Sequence, residues 1–168
     1  MLKLKHQPEY SVTKPVVIED ESRLIGRCVQ PDSLFLNLRN SPVVVIAEPL
    51  EQRVLNTYEE YILQTDLGLF SQTKDLAAAL KIFDQLNKSL QGISNRLGGL
   101  RFSEIKADLD HCRQQFLDHQ ELVGHQIWIS KLLDWYYDPL YSKSFEQRNP
   151  KVLFKGNYQE VLEYLTTG

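Results

Sequence analysis

Two short runs of branched aliphatic residues, VVI at 16–18 and VVVI at 43–46, constrain this chain more than anything else in it. Each follows a proline (Pro15, Pro42) and gives way at once to polar residues, EDES after the first and AEP after the second. Apolar runs without alternation read as strands covered on both faces, which is the habit of parallel sheets. Parallel strands need a crossover between them. Residues 31–38 supply one, with Leu34, Phe35 and Leu38 on one helical face and Pro31 suited to a first turn. A late run, KVLF at 151–154, reads as a further strand and residues 158–165 as a closing helix. The expected class is α/β: a parallel sheet of about three strands, carrying a largely helical insertion.

That insertion follows from helical spacing. Val54, Tyr58, Tyr61 and Ile62 place a helix over 50–63. Leu76, Leu80, Phe83, Leu86 and Leu90 make the apolar face of another, ended by Gly92 or by the Gly98–Gly99 pair. Phe102, Ile105, Leu109, Cys112 and Phe116 repeat at three and four residues, and residues 122–137 offer Ile127, Ile129, Leu132, Leu133 and Tyr136. No repeat or flexible linker interrupts this order, and 168 residues with 42% hydrophobic content suit a single domain over 1–168. A net charge of −3 excludes a surface that is basic throughout, while leaving room for a local basic groove. With neither a secretory signal nor a run of about 18 apolar residues, a cytoplasmic location away from membranes is expected. The two cysteines form no CxxC pair, and His6, His111, His119 and His125 form no recognisable ligand set.

Several residues carry candidate chemistry, each with a plainer alternative. Glu19, at the end of the first expected strand, occupies the place where P-loop proteins hold Mg²⁺; otherwise it caps a turn or pairs with Arg23. Arg23 and Arg27 bracket Gly26 and point guanidinium forks at phosphate, or else pair with the acids at 19–21. Arg53 sits after the second strand, near the carboxyl edge of the sheet. Arg96 and Arg101 flank Gly98–Gly99, where bare backbone N–H groups suit an anion, unless the glycines only end a helix. In the aromatic run 135–141, Tyr137, Asp138 and Tyr141 stand at an expected helix end before Pro139, placed to stack an unpaired base. Trp135 and Tyr136 read equally well as core. Lys143, Arg148, Lys151 and Lys155 then form a phosphate-tracking stripe or a set of solvated cations.

Three blocks of the chain also resemble a known family. IEDESRLIG at 18–26 with QPDSLFLNLRNSPVVVIAEPLEQRV at 30–54, SNRLGGLRFSEIKADLD at 94–110, and LLDWYYDPLYSKSFEQRNPKVLFKG at 132–156 are similar, in order, to bacterial tRNA 2-selenouridine synthase. The resemblance implies an enzyme that replaces the sulfur of a wobble 2-thiouridine in tRNA by selenium, with selenophosphate as donor. It further implies that the parallel sheet is part of a P-loop-type fold, present here only in part, and that a rhodanese-like domain with a reactive cysteine and a phosphate-binding loop lie ahead of these blocks. No G-x-x-x-x-G-K-[ST] occurs here, so the chain resembles the carboxyl-terminal part alone, expected to be inactive by itself and to bind tRNA, donor or the missing amino-terminal half. Use of nucleotide and Mg²⁺ stays open. A nucleotide-kinase-like remnant and a non-catalytic interaction module are the alternatives. An exposed sheet edge in such a fragment invites self-association.

Overall fold

The computed structural model describes residues 16–20 and 22–167, so Glu21 and His6 lie outside the described residues. The chain divides into two compact units, Met1–Pro42 and Val43–Gly168. In the first, Gly26 and Arg27 close a short antiparallel hairpin of β1 (Leu24–Ile25) and β2 (Cys28–Val29). Gly26 adopts φ 61°, the sign that the first position of a type II′ loop requires and side chains resist. Gln30 is buried, its backbone N–H donating to the Arg23 carbonyl and its side-chain amide to the Ser22 carbonyl, both at 2.9 Å. Helix α1 (Asp32–Asn40) follows, with Asp32 in its first turn paired to Arg23.

Residues 16–18 depart from the sequence reading. They lie outside any strand, and Val16, Val17 and Ile18 are all more than half exposed. A β-branched run becomes a strand only where a neighbour completes its backbone ladder, and the hairpin of this unit pairs with itself. Helix α1 is therefore no crossover, and among the described residues the expected three-stranded parallel sheet is reduced to two strands.

Those two belong to the second unit. Strands β3 (Val43–Ile46) and β4 (Val152–Gly156) run parallel, Val45 opposite Lys155 and Ile46 opposite Gly156. Helix α9 (Tyr158–Thr167) packs on both, burying Val161 and stacking Tyr164 on Phe154 with ring centroids 4.7 Å apart. The strands are half-buried at best, so β3 is not the doubly covered strand its sequence suggests.

The core lies in the crossover. It is built from α2 (Leu50–Tyr58) with its π-helical extension (Glu59–Leu63), α3 (Phe70–Thr73), α4 (Leu76–Gly92), α5 (Ser94–Leu97), α6 (Gly99–His119) and α7 (His125–Leu132). Asp75 caps α4 by accepting from the Ala78 N–H at 2.9 Å, a bond worth about 1 kcal/mol. On α6 the stripe Ile105, Leu109, Cys112 and Phe116 is at most 1% exposed, and Phe116 meets Phe70 edge-on at 5.0 Å. Burying each large apolar side chain contributes about 1.5–3 kcal/mol, so stability resides in these helices rather than in the sheet.

Helix α7 does not stop before Pro139. It widens into a π-helical turn (Leu133–Tyr137) and continues as α8 (Asp138–Arg148). The wider turn accommodates a proline ring that would clash with the carbonyl four residues earlier in a regular α-helix. Among the described residues no helix is long and apolar enough to cross a membrane.

Candidate functional site

The π turn gathers residues that sequence reasoning names separately. Pro139 has no N–H to offer the Trp135 carbonyl, and Arg101 donates to that carbonyl instead, at 3.4 Å, with its guanidinium 5.7 Å from the Trp135 ring centroid. Arg96, on α5, donates to the Tyr136 hydroxyl at 3.3 Å. Tyr136 meets Tyr137 edge-on at 5.0 Å, and Tyr137 lies nearly parallel to Tyr141, 20° between planes and 6.3 Å between centroids. Burial, then the neighbouring hydroxyls of Tyr136, Tyr61 and Tyr141, raise the Tyr137 pKa, so its phenol stays neutral. Trp135 and Tyr136 are half-buried against the core and serve it and the site together.

Charge separates the candidate arginines. Arg53 reaches Asp138 through two parallel bonds of 2.5 and 2.8 Å, which hold the Asp138 carboxyl below its ordinary range and raise Arg53. Its positive charge is thus spent on Asp138, a partner 85 residues away that the sequence names without pairing. Arg23 is spent likewise on Asp32. Arg96 and Arg101 enter no ion pair among the described residues and are exposed beside aromatic rings. Between them, Gly98 and Gly99 open α6 with no side-chain cap, and a Cβ at either glycine would meet nothing within 4 Å. The first N–H groups of this 21-residue helix thus have no side-chain cap, and an arginine without a carboxylate partner among the described residues stands on either side of the glycines in sequence. Gly98 both ends one helix and starts the next: its N–H closes α5 by donating to the Ser94 carbonyl at 3.1 Å, and it stands at the N-cap of α6.

A second feature lies at the carboxyl ends of β3 and β4. A cavity of about 600 Å³ is lined by Ala47, Glu48, Pro49, Gln52, Lys155, Gly156, Asn157 and Glu160. Its position suits an α/β ligand site, but its chemistry opposes an anion. The Tyr158 N–H already donates to Glu48 at 2.6 Å and the Asn157 N–H to Glu160 at 2.8 Å, so carboxylates occupy the donors at the start of α9. Lys151 lies at the other end of β4, away from this cavity.

The Mg²⁺ role expected of Glu19 loses its basis. Glu19 is exposed and ends no strand, and no three His, Cys, Asp or Glu side chains among the described residues come together to hold a metal ion. Arg27 is exposed in the hairpin loop. Cys112 is a core residue whose thiol burial pushes up to about 11, which keeps it from acting as a nucleophile at neutral pH.

These features define a mixed α/β domain with a helical face that offers uncompensated guanidinium groups beside stacked aromatic rings. The chain belongs to the tRNA 2-selenouridine synthase AAA domain family, whose model matches residues 1–168. It is 45% identical over 161 residues to the tRNA 2-selenouridine synthase of Bdellovibrio bacteriovorus, covering 90% of this chain and 42% of that protein. The Nitrosomonas europaea relative of the same name is 38% identical over 180 residues, covering 98% and 46% respectively. The Shewanella woodyi relative is 32% identical over 162 residues, covering 96% and 44%. The chain spans less than half the length of these curated relatives. No solved structure matches it.

Proposed function

We propose that this chain is the tRNA-recognising part of a selenium transferase that replaces sulfur by selenium at a wobble 2-thiouridine, with selenophosphate as donor. The observation that carries the reading is the unpaired Arg96 and Arg101 on either side of the open start of α6, next to the 135–141 aromatic run. RNA phosphates are met by such charge, and unpaired bases by such rings. The names of the relatives support tRNA as the partner. The chemical step belongs, in this reading, to the portion of those relatives that the chain does not span, and the chain's exposed apolar residues are surfaces for that portion. No role for Mg²⁺ or nucleotide is part of this reading: no three metal-ligating side chains come together among the described residues, and the two carboxylates lining the cavity beyond the sheet, Glu48 and Glu160, occupy N–H donors at the start of α9. The kinase-like alternative accordingly draws no support from the geometry.

Titrating labelled tRNA with the chain at several salt concentrations tests the reading. Each phosphate contact adds about 0.7 (single strand) to about 0.9 (duplex) to the slope of log affinity against log salt, so Arg96→Ala with Arg101→Ala should flatten the slope by about 1.5–2. Arg23→Ala should leave it unchanged, since Asp32 neutralises Arg23. An unchanged slope in the double variant would remove these arginines from the interface.

A further inference from the structure

We propose that Tyr141 is the stacking platform for one unpaired base of the bound RNA, so that this face accepts single-stranded loop and not duplex. The inference rests on the RNA-binding reading above and adds to it the kind of RNA and the residue that selects it.

The geometry of the rings carries the argument. Tyr136 is turned edge-on to Tyr137, whereas Tyr137 and Tyr141 are nearly parallel, so stacking runs outward along the helix from a half-buried ring to one that is 67% exposed. The outer member of a stack is a step on which another flat ring can lie. A base within a duplex already has both faces covered by its neighbours, and only an unpaired base can be splayed onto a protein ring. Charge fits the same occupant. Asp138 stands between the two tyrosines in sequence, and its carboxylate would repel a nucleic-acid strand if it were bare. Both of its oxygens are bound by Arg53. The Arg96 guanidinium, which has no carboxylate partner among the described residues, is joined to the stack through the Tyr136 hydroxyl. Phosphate at Arg96 and base at Tyr141 thus lie along one continuous line of contacts, Arg96 to Tyr136 to Tyr137 to Tyr141.

The test uses the whole chain and a short single-stranded RNA carrying one 2-aminopurine, free or annealed to its complement. Stacking on tyrosine quenches 2-aminopurine fluorescence, and loss of one stacked base weakens binding by about tenfold. Tyr141→Ala should abolish the quench and weaken single-strand binding about tenfold while leaving the salt slope and any duplex binding as they were. Tyr141→Phe should keep the quench and the affinity. If Tyr141→Ala binds and quenches like the parent while the Arg96→Ala and Arg101→Ala variants weaken binding, the stacking role is wrong and the RNA reading stands. If the parent chain binds neither RNA, the RNA reading falls and this inference with it.

Discussion

His125 is the residue whose environment most contradicts its composition. It is 1% exposed, ringed by Tyr58, Phe83 and Trp128, and its Nδ1 accepts a 3.2 Å hydrogen bond from the Trp128 indole N–H. Its Nε2 is buried without a hydrogen-bond partner among the described residues. Burial pulls the imidazole pKa down to about 4, and protonation at Nδ1 would also break the Trp128 bond. The folded chain therefore keeps this histidine neutral at pH values where the unfolded chain, near 6.5, takes up a proton. Since the unfolded state binds more protons between those values, stability falls as pH drops from about 6.5 toward 4, by about 2 kcal/mol at pH 5. Urea midpoints at pH 7 and pH 5 should show that loss in the parent and not in His125→Leu, whatever the baseline stability of the variant. Asp138 acts lower on the scale. Its pKa is depressed, so its bond to Arg53 stabilises above its ordinary value of 3.8 and fades as pH falls through the folded value below that. Neither environment is legible in sequence. Trp128 stands three residues after His125, a spacing that hints at contact on a helix, but burial of the pair depends on α2, α4 and α6.

At the scale of elements, helical spacing is legible and strand pairing is not. The stripes on α4 and α6 repeat every three or four residues, and their buried members are largely the ones that the periodicity names. Residues 16–18 have strand composition and no strand, because pairing is a property of two segments and only one is visible in the run itself. The continuation through Pro139 is hidden for a related reason. Proline normally signals a stop, and nothing in the run itself announces the π turn that admits it, in which Trp135 and Tyr136 pack against the core. The consequence for the site is direct. Pro139 leaves the Trp135 carbonyl available to Arg101. Pro139→Ala would return an N–H to that carbonyl and remove the reason for Arg101 to stay there. The variant should be at least as stable as the parent in urea, since it gains a helical hydrogen bond. Its salt slope for tRNA binding should nevertheless drop by about one, as for Arg101→Ala. A parent-like slope would show that the Trp135 ring alone holds Arg101.

Over the whole molecule, apolar burial is uneven. The buried apolar core lies between Val54 and Val161, all in the second unit. In the first unit Val16, Val17, Ile18, Leu24 and Val29 are each more than half exposed, and Gln30 is its only buried residue among those described. In the second, β3 and β4 each have a single ladder neighbour among the described residues, and Ile46, Val152 and Leu153 are 53%, 42% and 47% exposed. Unpaired strand edges beside apolar surface recruit further strands, and relatives more than twice as long have additional chain with which to cover them. The chain alone should therefore self-associate as its concentration rises, seen as growing mass in sedimentation or light scattering. Adding the portion of a relative that precedes or follows the matched region, as a separate polypeptide, should reduce that association and slow amide exchange in residues 43–46 and 152–156. Exchange in α6 should stay slow throughout, because its protection comes from the helical core. A monomer at high concentration, with exchange in β3 and β4 unaffected by the added polypeptide, would mean that these edges are stable facing water and that the rest of the family's chain packs elsewhere.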